Sequence, residues 1–347
     1  AWRDLTDLAM LGTVADIVPV VGPNRALVAE GLERVRRAPR PGLAALAAVS
    51  AVETATLDAD RVAYSLAPRL NAAGRMADPE IAVRLLLGED PAEAEVLAHA
   101  LDEHNRVRQA TESDLYDAAL IEVGRTFSPG DRVLVVAGEA WHEGVRGIVA
   151  SRLTNRFGVP SLVFCIEGGQ AQGSGRSIEG VDLYAALSDL APMLQRYGGH
   201  AMAVGLALPA ADLDAFRSAL AARLASVPAD AFAGSITLDA EVPLDALSRE
   251  LASELALLGP FGFGNRRPLL ATRGVFMNGR KRVGKAEEHL RFTAYDGVAA
   301  VPAIAFRCPE ITTFAGAETA VDVAFELDAT EWRGVERVQM LVRDLRL

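Results

Sequence analysis

From Ala92 to Val123 the chain contains neither proline nor glycine, and Asp90-Pro91-Ala92-Glu93 opens this run. Asp90 can cap, proline suits the first helical position, and Glu93 stands at a capping-box-like spacing. The pattern predicts one helix of about 34 residues, roughly 50 Å long at 1.5 Å per residue. That exceeds an ordinary packed helix, so it is expected to bridge two domains. In 347 residues, two or three domains are the natural division.

A βαβ rhythm follows the helix. Residues 132–137 form an apolar run suited to a buried strand, 147–157 a helix and 161–165 a second strand. A glycine-rich stretch then runs through Gly168-Gly169 and Gly173-Ser174-Gly175-Arg176-Ser177 and is expected to be a loop. Asp182 can cap a further helix. Gly198-Gly199-His200 is expected to be a turn before a strand at 203–208, and 210–225 reads as a closing helix. From about residue 233 the pattern turns to strands: 236–240, 268–277, 290–294, 301–306, 321–330 and 335–342, with a helix over 248–258 and a turn at Arg333-Gly334. Such short strands suit a small barrel of the oligonucleotide-binding (OB) type. The fold class is therefore α/β followed by a β-barrel.

Composition narrows the function. Half the residues are hydrophobic, yet no apolar run reaches the ~20 residues that span a bilayer. No secretory signal is visible at the start. Ala1 is not an initiator methionine, which suggests a piece of a longer protein. Cys165 and Cys308 are far apart and read as free thiols in a reducing cytoplasm. A net charge of −11 argues against a generic nucleic-acid coat. Between Arg266 and Arg291 the sign reverses: Arg266, Arg267, Arg273, Arg280, Lys281, Arg282, Lys285 and Arg291 face only Glu287 and Glu288. That reversal points to polyanion contact, against the plain alternative of a solvated charged face.

Three segments around the βαβ unit carry anion-binding chemistry. Trp141-His142-Glu143-Gly144-Val145-Arg146-Gly147 follows a strand and opens a helix, so its amides lie at a positive helix end. Ser174 and Arg176 offer a hydroxyl and a guanidinium able to grip phosphate with two donors. Gly198 and Gly199 permit positive φ, so that their amides can face a ligand beside the titratable ring of His200. The plain alternatives are a packed turn and structural histidines. Pro68-Arg69-Leu70-Asn71-Ala72-Ala73-Gly74-Arg75 holds a phosphate or braces a loop, with Asn71 and Arg75 as the candidates. Asp16 is a cap or a functional carboxylate. No nucleophilic triad, Walker loop, complete dinucleotide fingerprint or zinc-protease helix is present. The scattered histidines supply no metal-ligand spacing.

These motifs together resemble the C-terminal two-thirds of the RecJ family, single-strand-specific 5′→3′ DNA exonucleases of the DHH phosphoesterase superfamily. Leu11-Gly12-Thr13-Val14-Ala15-Asp16 with Pro19 resembles the family's fourth motif, and residues 68–75 its next segment. Asn105-Arg106-Val107-Arg108-Gln109 is similar to the linking helix. The Trp141 and Gly198-Gly199-His200 segments resemble the DHHA1 domain, and Pro260-Phe261-Gly262-Phe263-Gly264-Asn265 the lead-in to the OB domain. The resemblance implies the C-terminal part of a DHH domain over 1–89, a connecting helix over 90–125, DHHA1 over 126–230 and OB over 231–347. It implies two-metal phosphodiester hydrolysis with Mn2+ or Mg2+ in DNA repair and recombination. Asp16 would be a metal ligand, and His200 with the Gly198 and Gly199 amides would hold the reacting phosphate. Asn71, Arg75, His142, Ser174 and Arg176 would bind substrate, while Arg280, Lys281, Arg282 and Lys285 would track the strand. Single-stranded DNA is the implied partner, with a single-strand-binding protein or helicase beside it, for a monomer. The Asp-x-Asp and Asp-His-His motifs that supply most metal ligands are not in this sequence, so this chain alone is expected to be inactive. Rival readings are a non-catalytic strand-binding module and a DHH phosphoesterase of short oligonucleotides.

Overall fold

A computed structural model describes residues 2–284, 287–306, 319–332 and 335–346. Lys285, Cys308 and the Arg333-Gly334 turn lie outside the described residues. The first segment is helical: α1 (Thr6–Ala15), α2 (Gly22–Arg37), α3 (Pro41–Val49), α4 (Ala59–Arg61), α5 (Ala67–Met76), α6 (Glu80–Leu87) and α7 (Pro91–Thr126). The chain packs into two compact units. One comprises Ala1–Pro39, Glu53–Ser65 and Ile236–Leu347; the other comprises Arg40–Val52 and Leu66–Ser235.

The long helix forms as expected, with the Asp90 carboxylate accepting from the Ala92 amide at 3.0 Å. Glu93 does not close a capping box; it pairs with Arg84 at 2.5 Å. Within one compact unit, α7 packs first on α3, α5 and α6 and then on β1 and α8 of the sheet that follows it. The reason is visible in its burial. Leu97, Ala98 and Leu101 face the helices, and Leu115, Ala119 and Val123 face the sheet. No described helix is long and apolar enough to cross a membrane.

The α/β part consists of β1 (Leu134–Glu139), α8 (Arg146–Phe157), β2 (Ser161–Glu167), β3 (Gln170–Arg176), α9 (Leu183–Asp189), β4 (Arg196–His200), β5 (Ala203–Pro209) and α10 (Leu213–Ala225). The strand order is β1-β2-β3-β5-β4, parallel only between β1 and β2. One face carries Val135, Leu162, Phe164, Val204, Leu206 and Leu208, buried under α9 and α10. The other face is covered at its β1–β2 end, where Val136 and Val163 pack with Val149 and Leu153 of α8.

Strand periodicity corrects two expectations here. The glycine-rich stretch is not a loop but the central strand β3. Its glycines point into the core: a Cβ at Gly173 would lie 2.5 Å from the Phe164 ring, and one at Gly175 2.7 Å from Val204 Cγ2. Likewise, Gly198-Gly199-His200 is not a turn but the exposed edge strand β4.

The barrel comprises β6 (Ala240–Glu241), α11 (Arg249–Ala256), β7 (Leu270–Val283), β8 (His289–Tyr295), β9 (Ala300–Ala305), β10 (Val321–Trp332) and β11 (Val335–Arg346). Strands β7-β8-β9-β11-β10 close through a β10–β7 pairing, with β9 and β11 parallel. Inward positions Val275, Met277, Phe292, Ala303, Val323, Phe325 and Met340 fill the core. Of the strand expected over 236–240 only Ala240 is strand, paired into the sheet with Glu241 as β6. Between Asn278 and Lys281 the β7–β8 register shifts, with Gly279 at φ 61°, a bulge that coils the basic end of β7.

Candidate phosphate-binding face and nucleic-acid interface

On the sheet face that α8 leaves uncovered, the register lines up three polar or bare rows. Arg176, Ala203 and His200 form one; Ser174, Gly205 and Gly198 the next; Gln172, Ala207 and Arg196 the third. All but Ala207 are exposed or half-exposed. Arg176 Nη1 donates to Ser174 Oγ at 3.1 Å and to the Gly175 carbonyl at 2.9 Å, which fixes the guanidinium over the sheet.

The first turn of α8 abuts this pair. A Cβ at Gly147 would lie 3.0 Å from Arg176 Nη2 and 3.2 Å from Ser174 Oγ, so a side chain there would press on both. No side chain caps the helix at Val145. Its positive end is thus presented beside a hydroxyl and a guanidinium. From the end of α5, Arg75 Nη1 donates to the Gly144 carbonyl at 3.0 Å. The Gly144 amide in turn donates to His142 Nδ1 at 3.0 Å, so the neutral ring carries its proton on Nε2. A Cβ at Gly144 would lie 2.5 Å from the Arg75 carbonyl oxygen, which only glycine permits.

The cations crowd one another. Partial burial and then the charge of Arg75 lower the pKa of Arg176. Partial burial, then Arg108, lower that of Arg75, with Glu112 opposing. Arg108 is itself braced by Asn105 at 2.9 Å and Glu112 at 2.6 Å. Guanidinium groups held together against their own repulsion favour an anion between them.

The structure therefore brings together Arg75, the His142–Gly147 loop, Ser174 and Arg176. His200 is exposed on the same face, across Ala203 from Arg176. Asn71 is exposed one helical turn before Arg75; residues 68–75 are helix, not loop. Of the two motif glycines, only Gly199 has positive φ, 134°, and a Cβ there would lie 2.2 Å from the Ala203 carbonyl oxygen. Gly198 has neither constraint. Asp16 ends α1, its amide donating to the Gly12 carbonyl at 3.0 Å, and its exposed carboxylate has no partner among the described residues.

On the barrel, Arg280, Lys281 and Arg282 are exposed at the far end of β7. Lys281 stands directly across from Arg291, a like-charge pair that weakens a bare hairpin. Two members of the basic stretch are spent elsewhere: Arg267 donates to Asp60 at 2.7 Å and Arg273 to Glu241 at 2.8 Å. Sequence reasoning missed Phe306, which is 54% exposed with its ring 5.0 Å from that of His289. The signal was an aromatic ending an alternating strand beside basic residues. Gly147 and Arg196 stand within the motif segments, but their places at the site emerge only from helix packing and from the strand register.

Comparison with known proteins identifies these parts. The DHHA1 domain model matches residues 130–226 and the RecJ OB domain model residues 238–344. The single-stranded-DNA-specific exonuclease RecJ of Bacillus subtilis is 34% identical over 345 residues, 98% of this chain and 44% of the relative. RecJ of Thermus thermophilus in complex with Mg2+ is similar with a TM-score of 0.83 at 32% identity, covering 99% of this chain and 52% of that one. Its Mn2+ complex gives the same score and identity. This chain thus spans about half the length of these relatives. Its own donors do not fit a pair of such ions. Among the described residues no three His, Cys, Asp or Glu side chains gather as a metal site. Asp16 alone supplies one carboxylate where each ion wants about six oxygen-rich positions. With its DHHA1 domain, its OB domain and a likeness extending over nearly every residue, the chain belongs to the RecJ family.

Proposed function

We propose that this chain is the substrate-holding part of a single-strand-specific 5′→3′ DNA exonuclease. The observation that carries the reading is the convergence of Arg75, Ser174 and Arg176 with the uncapped start of α8 on an open sheet face. Arg75, Ser174 and Arg176 anchor the strand's 5′-terminal phosphate, with Asn71 and His142 at the margin. His200 and the Gly198 and Gly199 amides hold the neighbouring phosphate, where His200 donates a hydrogen bond to a phosphate oxygen and steadies charge developing there. Arg280, Lys281, Arg282 and Lys285 follow the strand along the barrel, and Phe306 offers a base a stacking surface.

The divalent ion supplies hydrolysis in such a nuclease, and Asp16 is the residue here that would meet it. Because its other ligands are not among these residues, the 347-residue chain with Mn2+ is expected to bind single strands without cutting them. By resemblance, the whole protein works as a cytoplasmic monomer in DNA repair and recombination, beside a single-strand-binding protein or helicase.

The test is binding of single-stranded oligonucleotides with a 5′-phosphate or a 5′-hydroxyl. The phosphate is expected to improve affinity about tenfold, as a charge-assisted contact does, and Arg176→Ala to abolish the difference. Equal affinity for both ends in the unaltered chain would refute the anchor. The bare donor set favours one second reading, a non-catalytic strand-binding module. Metal-dependent cleavage by a longer protein containing this chain would exclude it.

A further inference from the structure

We propose that the open sheet face holds a further phosphate subsite, past the terminal phosphate and its neighbour at His200, for an internal phosphodiester of the same strand. Arg196 and Arg146 grip it, and the bare backbone of Gly198 and Gly205 forms the floor leading to it. This rests on the first subsite, at Ser174 and Arg176, holding the terminal phosphate.

The rows set the spacing. Alternate residues on a strand lie about 6.7 Å apart, so the Gln172–Arg196 row lies one step from the Ser174 row and about 13 Å from the Arg176 row. That interval matches the next one or two phosphates of an extended strand. Arg196 Nη2 donates to Gln172 Oε1 at 2.9 Å, which lays the exposed guanidinium along the face.

In the same row Cys165 stands beside Gln172, and the Arg146 guanidinium lies against its thiol. Arg146 Nη1 is buried without a hydrogen-bond partner, and its paired carboxylate oxygen, on Glu143, is 3.8 Å away. A buried donor that keeps an ion pair but no hydrogen bond is costly, and a turn of the Arg146 side chain, which is 20% exposed, would offer it to an anion between Arg146 and Arg196.

The floor is the independent observation. Gly205 lies in the interior strand β5, where glycine weakens pairing, yet its φ is ordinary and a Cβ would meet nothing within 4 Å. The same holds for Gly198 opposite it. Neither packing nor backbone conformation requires glycine at these two positions, unlike Gly173, Gly175 and Gly199. Close approach of another chain's backbone does require it.

The full 347-residue chain, in metal-free buffer, is titrated calorimetrically with 5′-phosphorylated thymidine mono-, di- and trinucleotides. Affinity is expected to rise along the series. Arg196→Ala should cost the trinucleotide about tenfold and leave the mononucleotide within about twofold. Gly205→Val should do the same with an unchanged melting temperature. An unchanged trinucleotide affinity in either variant, or an equal loss on all three ligands, overturns the further subsite. Arg176→Ala checks the foundation separately, since it should weaken all three ligands. If it weakens none, the terminal-phosphate reading fails and the further subsite falls with it.

Discussion

Gly173→Ala separates a glycine that packs from a glycine that cradles a ligand. The added Cβ would lie 2.5, 2.7 and 2.8 Å from Cε1, Cδ1 and Cζ of Phe164. That ring cannot swing aside: it is fully buried and sits edge-on to Phe216 with centroids 6.0 Å apart. Overpacking of this kind costs about 1–3 kcal/mol. In a unit of this size each kcal/mol lowers the melting temperature by roughly 2–4 °C, so the expected fall is about 2–12 °C. Affinity for a 5′-phosphorylated strand should stay within about twofold at 15 °C, because Ser174 and Arg176 face the other way. The assay is a thermal melt followed by fluorescence anisotropy on the same sample. An unchanged melt with weakened DNA binding would show that Gly173 serves the ligand, and would refute the face assignment drawn from the register.

Neutralising Arg280, Lys281 and Arg282 together should weaken single-strand binding and reduce the slope of log affinity against log salt by about 2, at ~0.7 per phosphate contact. An unchanged slope would remove the barrel's strand contact. In the barrel unit, burial raises the pKa of the Asp328 carboxyl against the pull of Arg267. A raised carboxyl pKa means that the folded state binds the proton more tightly than the unfolded one. Stability is therefore lost as pH rises through the folded pKa. Asp328→Asn should raise the melting temperature at pH 7 by on the order of 1–3 °C and make no difference well below pH ~3.9. A neutral-pH loss would show that the Arg267 contact outweighs burial.

Much of the architecture was legible because local signals agreed with the final packing. Asp90-Pro91 opens α7, the 132–137 run becomes β1, and alternating residues place the barrel strands. What failed depended on neighbours. Gly173-Ser174-Gly175 carries every local mark of a loop and becomes a strand only because Phe164 and Val204 need the space its glycines leave. The length of the 36-residue α7 was legible, but not the two surfaces it packs on, the helices α3, α5 and α6 and then β1 and α8. At the site, Ser174, Arg176 and His200 were visible as residue types. Arg196 and Gly205 were not, since their significance is a cross-strand register that no single segment records.

Nuclear magnetic resonance of the full chain during titration with a thymidine 5′-monophosphate addresses the phosphate face most directly. The account predicts saturable shifts at the Arg176 side-chain Nε–H and the Gly147, Gly198 and Gly205 amides, with the barrel residues Lys281 and Arg291 unmoved. Shifts confined to the barrel, or none at the sheet face at saturating nucleotide, would contradict it.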